Sequence, residues 1–129
     1  MKEFGPGFRL SVFDMLVLVI GSALSVYSYN INPLVSYIVS CVVCHFFLFC
    51  NVVRMSRIPE LIWSVVFILA VILSLNFSAL AGYVAITIIV SCTVILVVLE
   101  IRKPSYHGVL WQKMNPSLPQ WFENHHASK

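Results

Sequence analysis

His45 lies near the middle of an apolar run from Leu34 to about Val53. An ionisable side chain is costly in such a setting and marks a functional position by default. On a helix, Cys41 and Tyr37 fall one and two turns before it on the same face, with Cys44 its neighbour in sequence. Together with Cys92 on a second apolar run, the Cys41-x-x-Cys44-His45 spacing could offer thiolate and imidazole to a soft metal such as Cu(I) or Zn(II). The same spacing matches a covalent haem attachment. That attachment takes place outside a membrane, however, and no other histidine occurs in a comparable run to ligate a b-type haem. The cysteines are read as small apolar residues and no cofactor is expected. Haem or a soft metal at His45 is kept as an alternative. The preferred expectation is a neutral His45 hydrogen-bonded to a neighbouring helix.

Asp14 is the second candidate. A carboxylate at a bilayer centre costs about 2.5–3.5 kcal/mol, and less towards an end. Asp14 comes about 6 Å after Leu10 at helical rise, so water can reach it. Arg54, Arg57 and Arg102 are expected at the same level, with Glu60 and Glu100 at the ends of apolar runs among bases. Ion pairs at that rim are the expected use of these charges, and Asn51, one turn before Arg54, is expected to join them. No nucleotide-binding glycine loop, paired intramembrane carboxylates or His-Glu-x-x-His run is present, so enzyme activity is not expected.

These residues need elements to hold them. The 129-residue chain is 60% hydrophobic and only 10% charged, against roughly 25% charged for a soluble domain. Its net charge of +3 is scattered at the ends of apolar runs rather than gathered on one face, which argues against nucleic-acid binding. Crossing a bilayer takes about 20 mostly apolar residues per helix. Four such runs occur, at about 10–29, 34–53, 61–75 and 80–99, broken by Asn30-Ile31-Asn32-Pro33, by the basic stretch 54–60 and by the short stretch 76–79. Val84 to Leu99 is apolar with almost no alternation, which excludes membrane strands and leaves helices. Ser56 is suited to cap the third run, with Pro59 in its first turn. The first run has no small-residue cleavage site after it and is expected to be retained.

The eight bases all fall on one side of this layout, and the two opposite turns carry no charge. Basic loops stay cytoplasmic. The fold expected is therefore an all-α membrane protein, with four transmembrane helices in an antiparallel bundle and both termini in the cytoplasm, in a plasma or bacterial inner membrane. Residues 1–9 form a short cytoplasmic segment, 10–101 the membrane domain and 102–129 a cytoplasmic tail.

Helices in lipid associate through small residues and interhelical hydrogen bonds. Gly21 and Ser25 in the first run, and Ser36, Ser40 and Cys44 in the second, recur at four-residue spacing on one face. Ala81 and Ala85, then Ser91, Cys92 and Thr93, give the fourth run similar seams. Pro104, Gly108, Pro116 and Pro119 rule out a long helix in the tail. Its Trp111, Trp121 and Phe122 are suited either to lie along the headgroup interface or to dock a partner subunit.

An acid in the first span of a small four-span chain, with Trp63 in the third, resembles the small multidrug resistance transporters, which couple drug export to such a carboxylate. The resemblance is confined to those features. That family's acid lies deeper, among tryptophan and tyrosine motifs that Asp14 lacks, and its charge bias is weaker. The function expected is action by association with other membrane subunits or with itself, as an accessory, assembly or scaffolding subunit. The alternatives are a small oligomeric transporter or ion-binding protein working through His45 and Asp14, and a metal- or haem-binding redox subunit.

Overall fold

A computed structural model describes residues 5–76 and 79–126, with the side chains of 79–81 and 126 outside the description. Every regular element among the described residues is helical. Helix α1 spans Val12–Tyr29 and α2 spans Pro33–Phe47, continuing as a π-helical turn over Leu48–Val53. Helix α3 is Arg57–Asn76 and α4 is Ala79–Ile101. Two short helices follow, α5 at Trp111–Met114 and α6 at Leu118–His126. The first four helices, counting α2 with its π turn, are long and apolar enough to cross a membrane.

Local chemistry sets the boundaries. Ser11 caps α1 in a reciprocal box with Asp14: the serine hydroxyl accepts from the Asp14 amide at 3.2 Å, and the carboxylate accepts from the Ser11 amide at 2.7 Å. Asn32 caps α2 by accepting from the Leu34 amide at 2.9 Å, with Pro33 at the first helical position. The far end of α2 widens into the π turn and stops at Arg54, which takes a left-handed conformation (φ 53°). The Met55 amide then reaches back to the Phe49 carbonyl at 2.8 Å, closing the turn in the manner usually given to a glycine. Helix α3 begins four residues ahead of its apolar run, because Arg57 and Ile58 extend the first turn to which Pro59 and Glu60 belong.

The helices pack as two hairpins. Between α1 and α2 the contact is close: a Cβ on Gly21 would overlap the Val43 methyl. One turn further, the Ser25 hydroxyl meets the Ser36 carbonyl and hydroxyl at 3.1 Å and the Ser40 hydroxyl at 2.6 Å. Without a hydrophobic drive in lipid, such close approach and hydrogen bonding are what hold two helices together. The α3–α4 hairpin packs through Trp63, Phe67 and Ala70 against Ala85, Ile89 and Leu96, and Phe49 of the π turn enters the same core.

The segment after α4 folds back onto the helix ends that carry the basic residues. The Val109 amide donates to the Val52 carbonyl at 2.8 Å, and the Tyr106 hydroxyl donates to the Val109 carbonyl at 2.8 Å. Gly108 sits directly on the end of α2, where a Cβ would lie 2.5 Å from the Val53 carbonyl oxygen. The Asn115 amide donates to the carbonyls of Pro104 and Tyr106, and Leu118 is almost fully buried beneath them. The chain before α1 joins this cap through the Gly7 amide, which donates to the His107 carbonyl at 2.8 Å.

Candidate functional site

Where the two hairpins meet, His45 of α2 comes against Trp63 of α3 and Thr93 of α4. Each lies about two turns from the basic end of its helix, which places the group roughly 10 Å in from that end. The His45 ring stacks on the Trp63 indole, with centroids 4.3 Å apart and planes inclined by 23°. Phe67 stacks on the same indole and Phe49 meets it edge-on. This aromatic column packs against one side of the half-buried imidazole.

Polar contacts complete the group. His45 Nδ1 lies 2.8 Å from the Cys41 carbonyl oxygen and 3.6 Å from the Cys41 sulfur. Nε2 lies 2.9 Å from the Thr93 hydroxyl. That hydroxyl also accepts from the Trp63 indole N–H at 2.9 Å and lies 2.8 Å from the Ile89 carbonyl. Three helices are thus joined through one oxygen atom. Among the described residues no buried side-chain nitrogen or oxygen lacks a hydrogen-bond partner, as a low-dielectric site requires.

Asp14 sits in a second group at the basic end. With the Asn51 amide oriented so that its nitrogen faces acceptors, it donates to Asp14 Oδ2 at 2.9 Å and to the Arg9 carbonyl at 2.6 Å. Asn51 is 1% exposed. Asp14 Oδ2 therefore accepts from both the Ser11 amide and the Asn51 side chain. Arg54 donates to the Gly5 carbonyl. Its burial, and Arg9 beside it, lower its pKa from the usual guanidinium value. Among the described residues the ion pair joins Glu100 to Lys103, a partner outside the expected rim set of Arg54, Arg57, Glu60 and Arg102. Glu100 is buried and also accepts from the Ser56 amide and hydroxyl, at 3.2 and 3.3 Å, fastening the end of α4 to the loop before α3. Ser56, at the start of α3, thus directs its hydroxyl to Glu100. The Glu60 carbonyl accepts from Ser64.

The remaining candidates are dispersed. Cys44 is exposed, and among the described residues no three His, Cys, Asp or Glu side chains gather as a metal would need. Ala85 is buried in the α3–α4 seam, whereas the Ala81 side chain lies outside the description. Trp111, Trp121 and Phe122 are half-buried, and Trp121 stacks on His125 at 4.4 Å. Between α2 and the α3–α4 hairpin, towards the end opposite the bases, lies an apolar cavity of about 110 Å³ lined by Tyr37, Ile38, Phe67, Ala70, Ala85 and Ile89 among others.

Trp63 and Thr93 do not stand out in the sequence as partners of His45. A signal existed for the first, since a buried indole N–H needs an acceptor. Thr93 stood among small seam residues, with nothing local to mark it. Comparisons with family models, with curated proteins and with solved structures return no match.

Proposed function

We propose that this chain is an integral membrane protein of four spans, with both termini and all its basic residues on the cytoplasmic side, and that it works by association as an accessory, assembly or scaffolding subunit of a larger membrane complex. The supporting observation is how its polar groups are used. His45, Asp14, Asn51 and the Ser25–Ser36–Ser40 cluster all bond within the chain. They tie helix to helix, and the cavity between α2 and the α3–α4 hairpin is apolar. Outer faces such as Val12, Val19, Val26, Ile58, Leu61 and Val65 are exposed and apolar, a surface suited to lipid and to neighbouring spans. Orientation rests on the one-sided distribution of Lys and Arg.

Purification from native membranes in mild detergent, with the mass of the isolated species measured, tests the reading. A defined complex with other membrane subunits is the expected result. A homo-oligomer that transports solute in proteoliposomes, and stops doing so in His45→Ala, overturns it in favour of a small transporter.

A further inference from the structure

The cavity between α2 and the α3–α4 hairpin has a buried floor and an exposed rim. Phe67, Ala70, Ala85 and Ile89 line the floor, each no more than 8% exposed, whereas Leu34, Tyr37 and Ile86 on the rim are open to the surroundings. Phe67, stacked on Trp63, lies at the end nearest His45. From Ile89 back to Gly82 the lining follows α4 for about 10 Å, so a volume of about 110 Å³ makes a long, narrow slot. At helical rise Ile89 is about 15 Å from the start of α4, and Phe67 about 14 Å from the end of α3. The slot therefore occupies the half of the span away from the bases, about one leaflet of a hydrocarbon core of roughly 30 Å. Water is a poor occupant, because a buried water needs several polar partners. The lining is apolar, and the Ser74 hydroxyl beside it already donates to the Val71 carbonyl at 2.8 Å. A helix of another chain, about 10 Å across, is too wide to enter. The described ends of this chain are docked at the basic end, the Gly7 amide on the His107 carbonyl and the Val109 amide on the Val52 carbonyl. A linear hydrocarbon matches the length, the width and the lining, and a bilayer supplies one at that depth.

We propose that this slot binds the hydrocarbon tail of a bilayer lipid, which enters sideways past Leu34, Tyr37 and Ile86 and lies along α4 with its end near Phe67 and Ile89. The placement rests on the four-span reading above, which also assigns the tail to the outer leaflet, and not on the role of an accessory subunit. The hydrogen bond between the hairpins, from His45 to Thr93, lies on the other side of Phe67. On the slot's side the tail supplies the packing between α2 and the α3–α4 hairpin, by the many small dispersion contacts that an empty slot would lose. Room for it comes from small residues: Ala70 and Ala85 in the floor, and Gly82, where an added Cβ meets nothing within 4 Å.

The test places the full chain in phosphatidylcholine vesicles in which one acyl chain carries a photoactivated diazirine, and maps the adducts by mass spectrometry of its peptides. Val12, Val26 and Val65 on the outer faces report ordinary contact with lipid. The expected result is labelling of those faces and, in addition, of the buried floor at Phe67, Ala70, Ala85 and Ile89. A diazirine at the chain end should favour Phe67 and Ile89, and one near the ester should favour Gly82. Gly82→Leu fills the slot without a clash and should abolish the floor adducts while sparing those on the outer faces. Outer faces labelled with a bare floor, or floor adducts unchanged in Gly82→Leu, overturn the proposal. Floor adducts that fall relative to the outer faces as protein is crowded in the vesicle also overturn it, and give the slot to a side chain of a second copy. Outer faces that stay unlabelled refute instead the four-span reading on which the placement rests. The comparison of floor with outer faces needs no substitution, so a poorly folding Gly82→Leu leaves the test decisive.

Discussion

Gly108→Ala is expected to release the cap that the C-terminal segment forms over the end of α2. The added Cβ would lie 2.5 Å from the Val53 carbonyl oxygen, 2.7 Å from that of Val52 and 2.7 Å from the Tyr106 hydroxyl. Two of these are main-chain atoms at the end of a long helix and cannot turn aside, so the tail has to move. Restoring an ordinary contact takes a shift of almost an ångström. That stretches the bonds from the Val109 amide to Val52 and from the Gly7 amide to His107, each 2.8 Å now, beyond useful hydrogen-bond length. Two such bonds at about 0.5–1.5 kcal/mol each put the loss near 1–3 kcal/mol. Local opening at Val109 should then be roughly 5- to 150-fold more frequent. Amide hydrogen exchange of residues 104–118 in detergent or nanodiscs reads this directly. Gly82→Ala is the control, because nothing lies within 4 Å of its Cβ position; as an interior helix position it should gain up to about 1 kcal/mol. Unchanged protection at Val109 in Gly108→Ala, or equal loss in Gly82→Ala, would refute the docking of the tail.

Other substitutions probe the remaining contacts. Gly21→Leu should weaken the α1–α2 hairpin by about 1–3 kcal/mol of overpacking, with Val43→Ala restoring part of the loss in a double-mutant cycle read by thermal unfolding. Asn51→Leu should cost about 1–3 kcal/mol by stripping Asp14 and the Arg9 carbonyl of a buried donor, whereas Asn51→Asp should cost more near neutral pH and recover on acidification, as one of two facing carboxylates takes a proton. Trp63→Phe should keep the stacking and lose only the bond to Thr93, about 0.5–1.5 kcal/mol, against about 3–5 kcal/mol for Trp63→Ala. Burial, and Glu100 beyond it, raise the Tyr106 pKa above the usual phenol value of 10.0. The raised value means that the neutral phenol is favoured in the folded cap, so its contribution is complete below pH 10.0 and is lost as pH rises through the folded-state pKa. Exchange protection of the cap should fall in alkali, and Tyr106→Phe should abolish that added sensitivity.

The helices could be read from the sequence because their causes are local. Runs of apolar residues long enough to span a bilayer, broken by Asn30-Ile31-Asn32-Pro33 and by the basic stretch at 54–60, declare themselves within a window of one helix. The Gly21, Ser25, Ser36 and Ser40 pattern is local too, since four-residue spacing puts small residues on one face whatever they meet. What each polar side chain meets is decided elsewhere in the chain. His45 finds Thr93 48 residues away, Glu100 finds Ser56 44 residues away, and Asp14 finds Asn51 of another helix where a set of nearby arginines suggested ion pairs. Charge alone could not rank those partners, because an amide donor already in place satisfies a carboxylate without either group having to bring a second ion out of water. Gly108 likewise reads as a helix breaker in the sequence. Only the approach of the tail to the Val52 and Val53 carbonyls makes it the one residue type small enough to sit there. Hydrophobic length determines how many helices this protein builds, and the directional demands of a few buried donors and acceptors, met only in three dimensions, determine how those helices are joined.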